Sequence, residues 1–258
     1  MIDSHCHLDF KEFKGRIDEV VYNALAAGVH TMVNIGVDLE SSRESVALAH
    51  RYDCIYATVG VHPHDARKYD EVAERELFDL AGERKVVAVG EIGLDFYRDL
   101  SPRQVQKRVF RRQLELAVEK GLPVVIHTRD SFGETAGIVQ EYSKALKGGV
   151  FHCFPGTIAD ARRVMAMGFY VSVGGIITFP KARMAALAGA VPLERLLLET
   201  DSPYLAPVPY RGKTNEPAFV RHVRDKVAEL RGISVAEVEK ITDRNCRKLY
   251  RMVEVFEG

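Results

Sequence analysis

The chain holds few cysteines, no long apolar run and no net charge. Cys6, Cys54, Cys153 and Cys246 are too sparse for a disulfide scaffold and show no C-x-x-C spacing, the usage expected of a cytoplasmic protein in a reducing compartment. The longest stretch without a charged residue, Val164 to Pro180, carries three glycines, a serine and a threonine. It falls short of the ~20 apolar residues that span a bilayer. Met1 to Phe10 lack the basic and apolar regions of a signal peptide, so no membrane partner is expected. Lys and Arg number 36 against 36 Asp and Glu, which leaves no broad field to capture a polyanion and reserves any such contact for local basic patches. Disorder is excluded by a 47% hydrophobic content.

What is present is alternation. Eight short apolar, β-branched runs are spread over the chain: Met1 to His7, Thr31 to Gly36, Ile55 to Val61, Val86 to Glu91, Pro123 to His127, Gly149 to His152, Phe169 to Val173 and Leu196 to Glu199. Between them lie segments of helical period, such as Ile17, Val20, Val21, Ala24 and Leu25. Ser101-Pro102-Arg103-Gln104 reads as a capping box with Pro at the first helical position, and Ser234 with Glu237 as a second N-cap. Strand–helix alternation predicts parallel strands with right-handed crossovers. Eight such units in 258 residues fit a single (β/α)8 barrel of the TIM type; an open doubly wound sheet is the alternative. No repeat, low-complexity tract or compositional break marks a linker, so residues 1–258 are expected to form one domain with no obligate protein partner evident.

The chemistry gathers at the ends of those runs. In His5-Cys6-His7, a period of two sends both imidazoles to one face and Cys6 to the other. Glu91, His127, His152 and Asp201 each follow an apolar run. In a barrel the carboxyl ends of the strands converge on one face, so five strands deliver four imidazoles and two carboxylates to one cavity. Burying that many polar groups without a partner costs several kcal/mol. Six ligands exceed one tetrahedral ion and suit two divalent ions ~3.5 to 4 Å apart, with Glu91 the obvious bridge. Imidazole with carboxylate fits Zn, Mn, Fe or Co, and Mg as well. Asp201 is placed to accept a proton. By the same period, the sulfurs of Cys6 and Cys153 are expected behind their strands, in the core.

His5-x-His7, Gly60-Val61-His62-Pro63-His64, Gly90-Glu91-Ile92-Gly93-Leu94-Asp95-Phe96, His127 with Arg129, His152-Cys153-Phe154 and Glu199-Thr200-Asp201-Ser202-Pro203-Tyr204-Leu205 together resemble the signatures of the TatD-type deoxyribonucleases. These are TIM barrels of the metal-dependent hydrolase superfamily, and Arg211-Gly212-Lys213-Thr214-Asn215-Glu216-Pro217 extends the match. The resemblance implies a dinuclear site, with His5, His7 and Asp201 on one metal, His127 and His152 on the other, and Glu91 shared. It also implies hydrolysis of DNA phosphodiesters, often from an end. One departure is Val173 within Ser172-Val173-Gly174-Gly175-Ile176, where a more polar residue is expected in much of the family; this bears on substrate preference.

Other residues are weighed against plainer readings. His62 and His64 follow the third run and are candidates to donate hydrogen bonds to a substrate phosphate, or else loop histidines around Pro63. Gly174-Gly175 would hold a phosphate on backbone N–H groups or simply make a tight turn. Asp95 and Asp130 would orient ligands or cap helices. Arg129, Arg211 and Lys213 are the candidate phosphate contacts, while His30, His50 and His222 carry no assigned role. Two rivals remain. One is an amidohydrolase-like deacylase or deaminase, disfavoured because Glu91 stands where such enzymes often place a modified Lys and His127-Thr128-Arg129-Asp130 lacks an H-x-x-E acid. The other is a metal-bound barrel that binds nucleotides or protein without turnover.

Overall fold

The computed structural model describes residues 1–252; the last six residues of the expected domain, 253–258, lie outside the described residues. All eight apolar runs form strands: β1 Ile2–Cys6, β2 Thr31–Asn34, β3 Ile55–Val59, β4 Val86–Asp95, β5 Val124–Arg129, β6 Gly149–Phe151, β7 Tyr170–Val173 and β8 Leu196–Leu198. Every neighbouring pair is parallel, in the order β1 to β8. The helices are α1 Ile17–Ala26, α2 Leu39–Arg51, α3 Glu71–Leu80, α4 Arg103–Lys120, α5 Phe132–Tyr142, α6 Ile158–Ala166, α7 Arg183–Ala190, α8 Val220–Arg231 and α9 Val235–Tyr250. This is a (β/α)8 barrel. Among the described residues no helix is long and apolar enough to cross a membrane.

The barrel closes where the end of β1 meets the segment after β8. Asp201 N donates to His5 O at 2.9 Å and His7 N to Ser202 O at 2.8 Å. Buried Asp3 reinforces the seam, accepting from Thr200 N at 2.9 Å and from the Thr200 hydroxyl at 2.5 Å. Inside, Ile2, Val33, Val87, Val125, Val150, Tyr170 and Leu197 form one buried cluster with Cys246, Leu249 and Tyr250 of α9. Helix α9 therefore stops the amino-terminal end of the barrel with apolar side chains, and Ile2 N donates to its Asp243 at 2.9 Å. Polar groups accumulate at the opposite end, where barrel strands deliver chemistry.

Two bulges shape that end. Against two residues of β2, Met32 to Asn34, β1 spends one extra, pairing Asp3 with Met32 and Cys6 with Asn34. Likewise β4 pairs Val89 with Val124 but Ile92 with Ile126, so Gly90 and Glu91 sit in a bulge. Bulges re-aim side chains beside sites, and here they do so for His5 and Glu91. Beyond the bulge β4 runs to Asp95, four residues further than the apolar run indicated. Gly93, at φ +147°, allows this: the His127 carbonyl oxygen lies 2.0 Å from where a Cβ would stand.

The Ser101 capping box is not formed. Pro102 occupies the N-cap of α4 with no side-chain cap bond. The Ser101 hydroxyl instead donates to His64 O at 2.8 Å and accepts from Arg67 N at 3.2 Å. A tertiary partner outcompetes the local cap. Ser234 does cap α9, accepting from Glu237 N at 3.1 Å.

Candidate metal centre

The six strand-end residues meet in one cluster. Nε2 of His5 and Nε2 of His7 stand 3.2 Å apart, and Nδ1 of His127 lies 3.3 Å from Nε2 of His152. Glu91 lies between the pairs and divides its oxygens. Oε1 is 2.8 Å from both His127 Nδ1 and His152 Nε2, while Oε2 is 3.5 Å from His5 Nε2 and 4.0 Å from His7 Nε2. Asp201 Oδ1 sits 3.5 Å from each of His5 Nε2 and His7 Nε2. Asp201 reaches this position from a left-handed backbone, φ +57°, which Asp adopts more readily than most residues.

These residues fit divalent cations. Two donors each ~2.05 Å from one ion at a tetrahedral angle lie ~3.3 Å apart, close to both nitrogen pairs. Nitrogens facing each other at that distance, with carboxylates beside them, are arranged as ligands rather than as partners of one another. His5 Nδ1 and His152 Nδ1 are buried and find no hydrogen-bond partner among the described residues. Three sets of three ligand atoms gather within 4.8 Å: His5, His152 and Asp201; His5, His7 and Glu91; His62, Glu91 and His127.

The electrostatics point the same way. Burial would raise the Glu91 carboxyl, but His152, His127 and His5 hold it well below the usual carboxylate range. Burial would lower His152, yet Glu91 and Glu199 push it well above the ordinary imidazole value. Asp201 is held low against its own burial by His7 and His5. Opposite charges thus stabilise one another in a largely buried site.

A supporting layer surrounds the cluster. Asp95, fully buried, places Oδ2 3.1 Å from His127 Nε2 and 3.0 Å from His64 Nε2, and its Oδ1 accepts from Tyr97 N and Arg98 N at 3.0 and 2.7 Å. Gln106 of α4 clamps the same residue, accepting from Asp95 N at 2.9 Å and donating to Asp95 O at 3.1 Å. Glu199 accepts from Cys153 N at 2.7 Å and from the Ser172 hydroxyl at 2.6 Å, 3.8 Å from His152 Nδ1. Sequence reasoning assigned no role to Glu199, Ser172, Gln106 or Asp3. An acid one turn of the pleat before a metal-competent Asp, as Glu199 is to Asp201, was the available signal.

The substrate candidates separate. His62 is buried with Nε2 3.6 Å from Glu91 Oε1, and burial holds its imidazole well below the ordinary value. His64 is half-buried and tied to Asp95. Arg129 is exposed at the end of β5 with its guanidinium 4.0 Å over the Tyr97 ring. Arg211 lies 4.6 Å over Phe179 in the segment after β7, and Lys213 is 5.8 Å from the Tyr210 ring. Among the described residues none of these three cations has a carboxylate within 4.0 Å. Asp130 is exposed. His30 bonds Asp243 of α9 and His50 pairs with Glu83, both outside the centre; His222 packs beside Tyr210 and Phe219.

Two finer expectations change. Cys153 is not a core residue: β6 ends at Phe151, Cys153 turns at φ +40° and is half-buried, whereas Cys6 is buried and donates to Val33 O at 3.4 Å. Period two stops applying where the strand stops. At Gly175 the glycine is explained by packing, since Leu205 O lies 2.1 Å from where a Cβ would stand.

The family described as "TatD related DNase" matches this sequence over residues 2–251. Over 253 residues the chain is 39% identical to the "uncharacterized metal-dependent hydrolase YabD" of Bacillus subtilis (strain 168), covering 98% of this chain and 99% of that protein. It is 39% identical over 257 residues to the "3'-5' ssDNA/RNA exonuclease TatD" of Cronobacter sakazakii, 97% of each chain. The crystal structure of YJJV, a TatD homolog from Escherichia coli k12, superposes with a TM-score of 0.93 at 32% identity, covering 98% of both chains.

Proposed function

This chain belongs to the TatD-related DNase family of metal-dependent hydrolases, and from that premise we propose that it hydrolyses phosphodiester bonds of single-stranded nucleic acid, DNA foremost, removing nucleotides from an end. The observation that carries the reading is Glu91, whose two oxygens face two separate imidazole pairs. One carboxylate so divided supports two ions, one with His5, His7 and Asp201 and one with His127 and His152. The relative named as a 3'-5' ssDNA/RNA exonuclease supports the substrate class and the direction.

Two divalent ions, when bound there, acidify water and offset charge developing on the phosphate. The side chains do the rest. Asp201 takes the proton of the attacking water as the water oxygen bonds to phosphorus and the P–O3' bond to the remaining strand breaks; the departing 3'-oxygen takes a proton from solvent, and the terminal nucleotide leaves with its 5'-phosphate. Asp95, through Nε2 of His127, keeps the Nδ1 lone pair directed at the centre. His62, held neutral by burial, donates from the cavity wall toward a phosphate oxygen, with His64 behind it. Arg129, Arg211 and Lys213 hold the phosphates of the continuing strand. The unpaired cysteines support a cytoplasmic location, and residues 1–258 act as one catalytic domain.

The test uses purified protein supplied with Mn, Mg or Zn against end-labelled single- and double-stranded DNA, RNA and a small aryl phosphodiester, with and without chelator. Release of mononucleotides from one end, abolished by chelator and restored by metal, is the expected result, with metal content approaching two ions per chain. Full activity at one ion per chain would refute the dinuclear arrangement. Inertness toward every phosphodiester would overturn the nuclease reading, in favour of an amidohydrolase if an amide or exocyclic amine is cleaved, or of a binding protein if metal is held without turnover.

A further inference from the structure

Beside the metal centre opens a cleft of about 350 Å³, walled by the segments after β1, β2 and β8 and lined among others by Phe10, Glu12, Asp38, Glu40, Glu44 and Tyr204. It joins the centre through aromatic rings. Phe10 stacks on His7, centroids 4.5 Å apart and planes at 17°. Tyr204 meets Phe10 edge to face at 6.0 Å and 67°, and its backbone N donates to Asp201 O at 2.9 Å. Each ring is thus carried by the segment that carries a ligand candidate. Phe10 is half-buried and Tyr204 is 50% exposed, so the corner they form is open to a third flat group. The wall is fixed in place: Asp9 accepts from Asn34 Nδ2 at 2.9 Å and from the Ser41 hydroxyl at 2.7 Å, and Asn34 in turn accepts from Leu8 N.

The charge of the cleft is one-sided. Asp9, Glu12, Asp38, Glu40 and Glu44 line it against the single cation Lys11. Arg129 instead ends β5, and Arg211 and Lys213 lie further along the segment after β8. A nucleic-acid strand cannot run on through a cleft that repels every phosphate, but a terminal nucleoside with a free hydroxyl brings no charge into it.

We propose that this cleft seats the base and sugar of the 3'-terminal nucleoside, the base stacked in the Phe10–Tyr204 corner and the free hydroxyl toward the carboxylates. This rests on the nuclease reading and deepens it. It supplies a physical cause for cutting from an end, because the acidic lining stops the backbone one nucleotide past the scissile phosphate. Stacking on an aromatic ring tolerates every base, so the subsite selects for the presence of a base and the absence of a terminal phosphate, and not for sequence.

The test uses the metal-loaded protein and 5'-labelled single-stranded oligonucleotides that differ only at the 3' end: a normal nucleotide, an abasic residue, or a 3'-phosphate. Loss of the terminal base should reduce kcat/KM by roughly 5- to 150-fold, the range of one base–aromatic stack, mainly through KM. The 3'-phosphate should be disfavoured, and Glu12→Gln with Glu40→Gln should relax that discrimination. Tyr204→Leu should shrink the normal-to-abasic ratio and Tyr204→Phe should retain it, which separates a lost ring from a misfolded loop. Cleavage of normal, abasic and 3'-phosphate ends at equal rates by wild type would overturn the subsite while leaving the nuclease reading standing. Absence of cleavage on all three would overturn both.

Discussion

Asp95 holds His127 by the ring nitrogen that the centre does not use: Oδ2 is 3.1 Å from Nε2, while Nδ1 lies 2.8 Å from Glu91 Oε1. A carboxylate at Nε2 keeps the proton there and leaves a lone pair on Nδ1. That lone pair then faces a carboxylate oxygen, an arrangement that needs a cation or a proton between them. The same Asp95 oxygen also takes His64 at 3.0 Å, so one buried acid orients two imidazoles, one on β5 and one on the segment after β3.

Asp95→Asn tests that relationship. The amide can still accept from Tyr97 N and Arg98 N, so the turn should persist, but it no longer fixes the imidazole tautomer. Metal affinity or turnover should fall roughly 10- to 100-fold, with the melting temperature of the chelated protein near wild type. A variant that binds metal and turns over normally would remove Asp95 from the positioning layer.

Glu91→Gln removes the one carboxylate that faces both imidazole pairs. One or both ions should be lost and turnover should drop by orders of magnitude. Because the apolar cluster inside the barrel does not include Glu91, chelated variant and chelated wild type should melt at about the same temperature. Metal content, melting temperature and rate on one preparation decide it, and two retained ions with near-normal turnover would contradict the arrangement.

Arg211→Ala and Lys213→Ala should weaken binding to single strands while leaving metal content alone. Each lost phosphate contact should reduce the slope of log K against log salt concentration by about 0.7. An unchanged slope in both would return these side chains to the solvated surface.

Gly175→Ala places a Cβ 2.1 Å from Leu205 O, with backbone rather than a flexible side chain in the way. The segments after β7 and β8 must separate, at a cost of about 1 to 3 kcal/mol, read by denaturant unfolding of the chelated protein. If unfolding is unchanged, the close approach of those two segments is not needed for stability.

The barrel and the composition of its reactive end follow from local pattern along the chain. Apolar β-branched runs and helical periods are local properties, and eight such runs with helical segments between them leave few ways to bury them. His5, His7, Glu91, His127, His152 and Asp201 were legible for the same reason, each standing where a run stops. How they face one another depends on the pairing of the strands. The bulges that aim His5 and Glu91 exist only as mismatches between paired strands. Ser101 does not cap α4 because a hydroxyl takes whichever partner is better placed, and His64 O, 37 residues away in sequence, is brought to it by the fold. Asp95 reaching His127 joins two strands, and Glu199 reaching Cys153 N joins the segments just past β8 and β6, contacts that no period along one strand encodes. So too the aromatic corner: Phe10 and Tyr204 are 194 positions apart in the chain, and they meet because β1 and β8 are the strands at which the barrel closes.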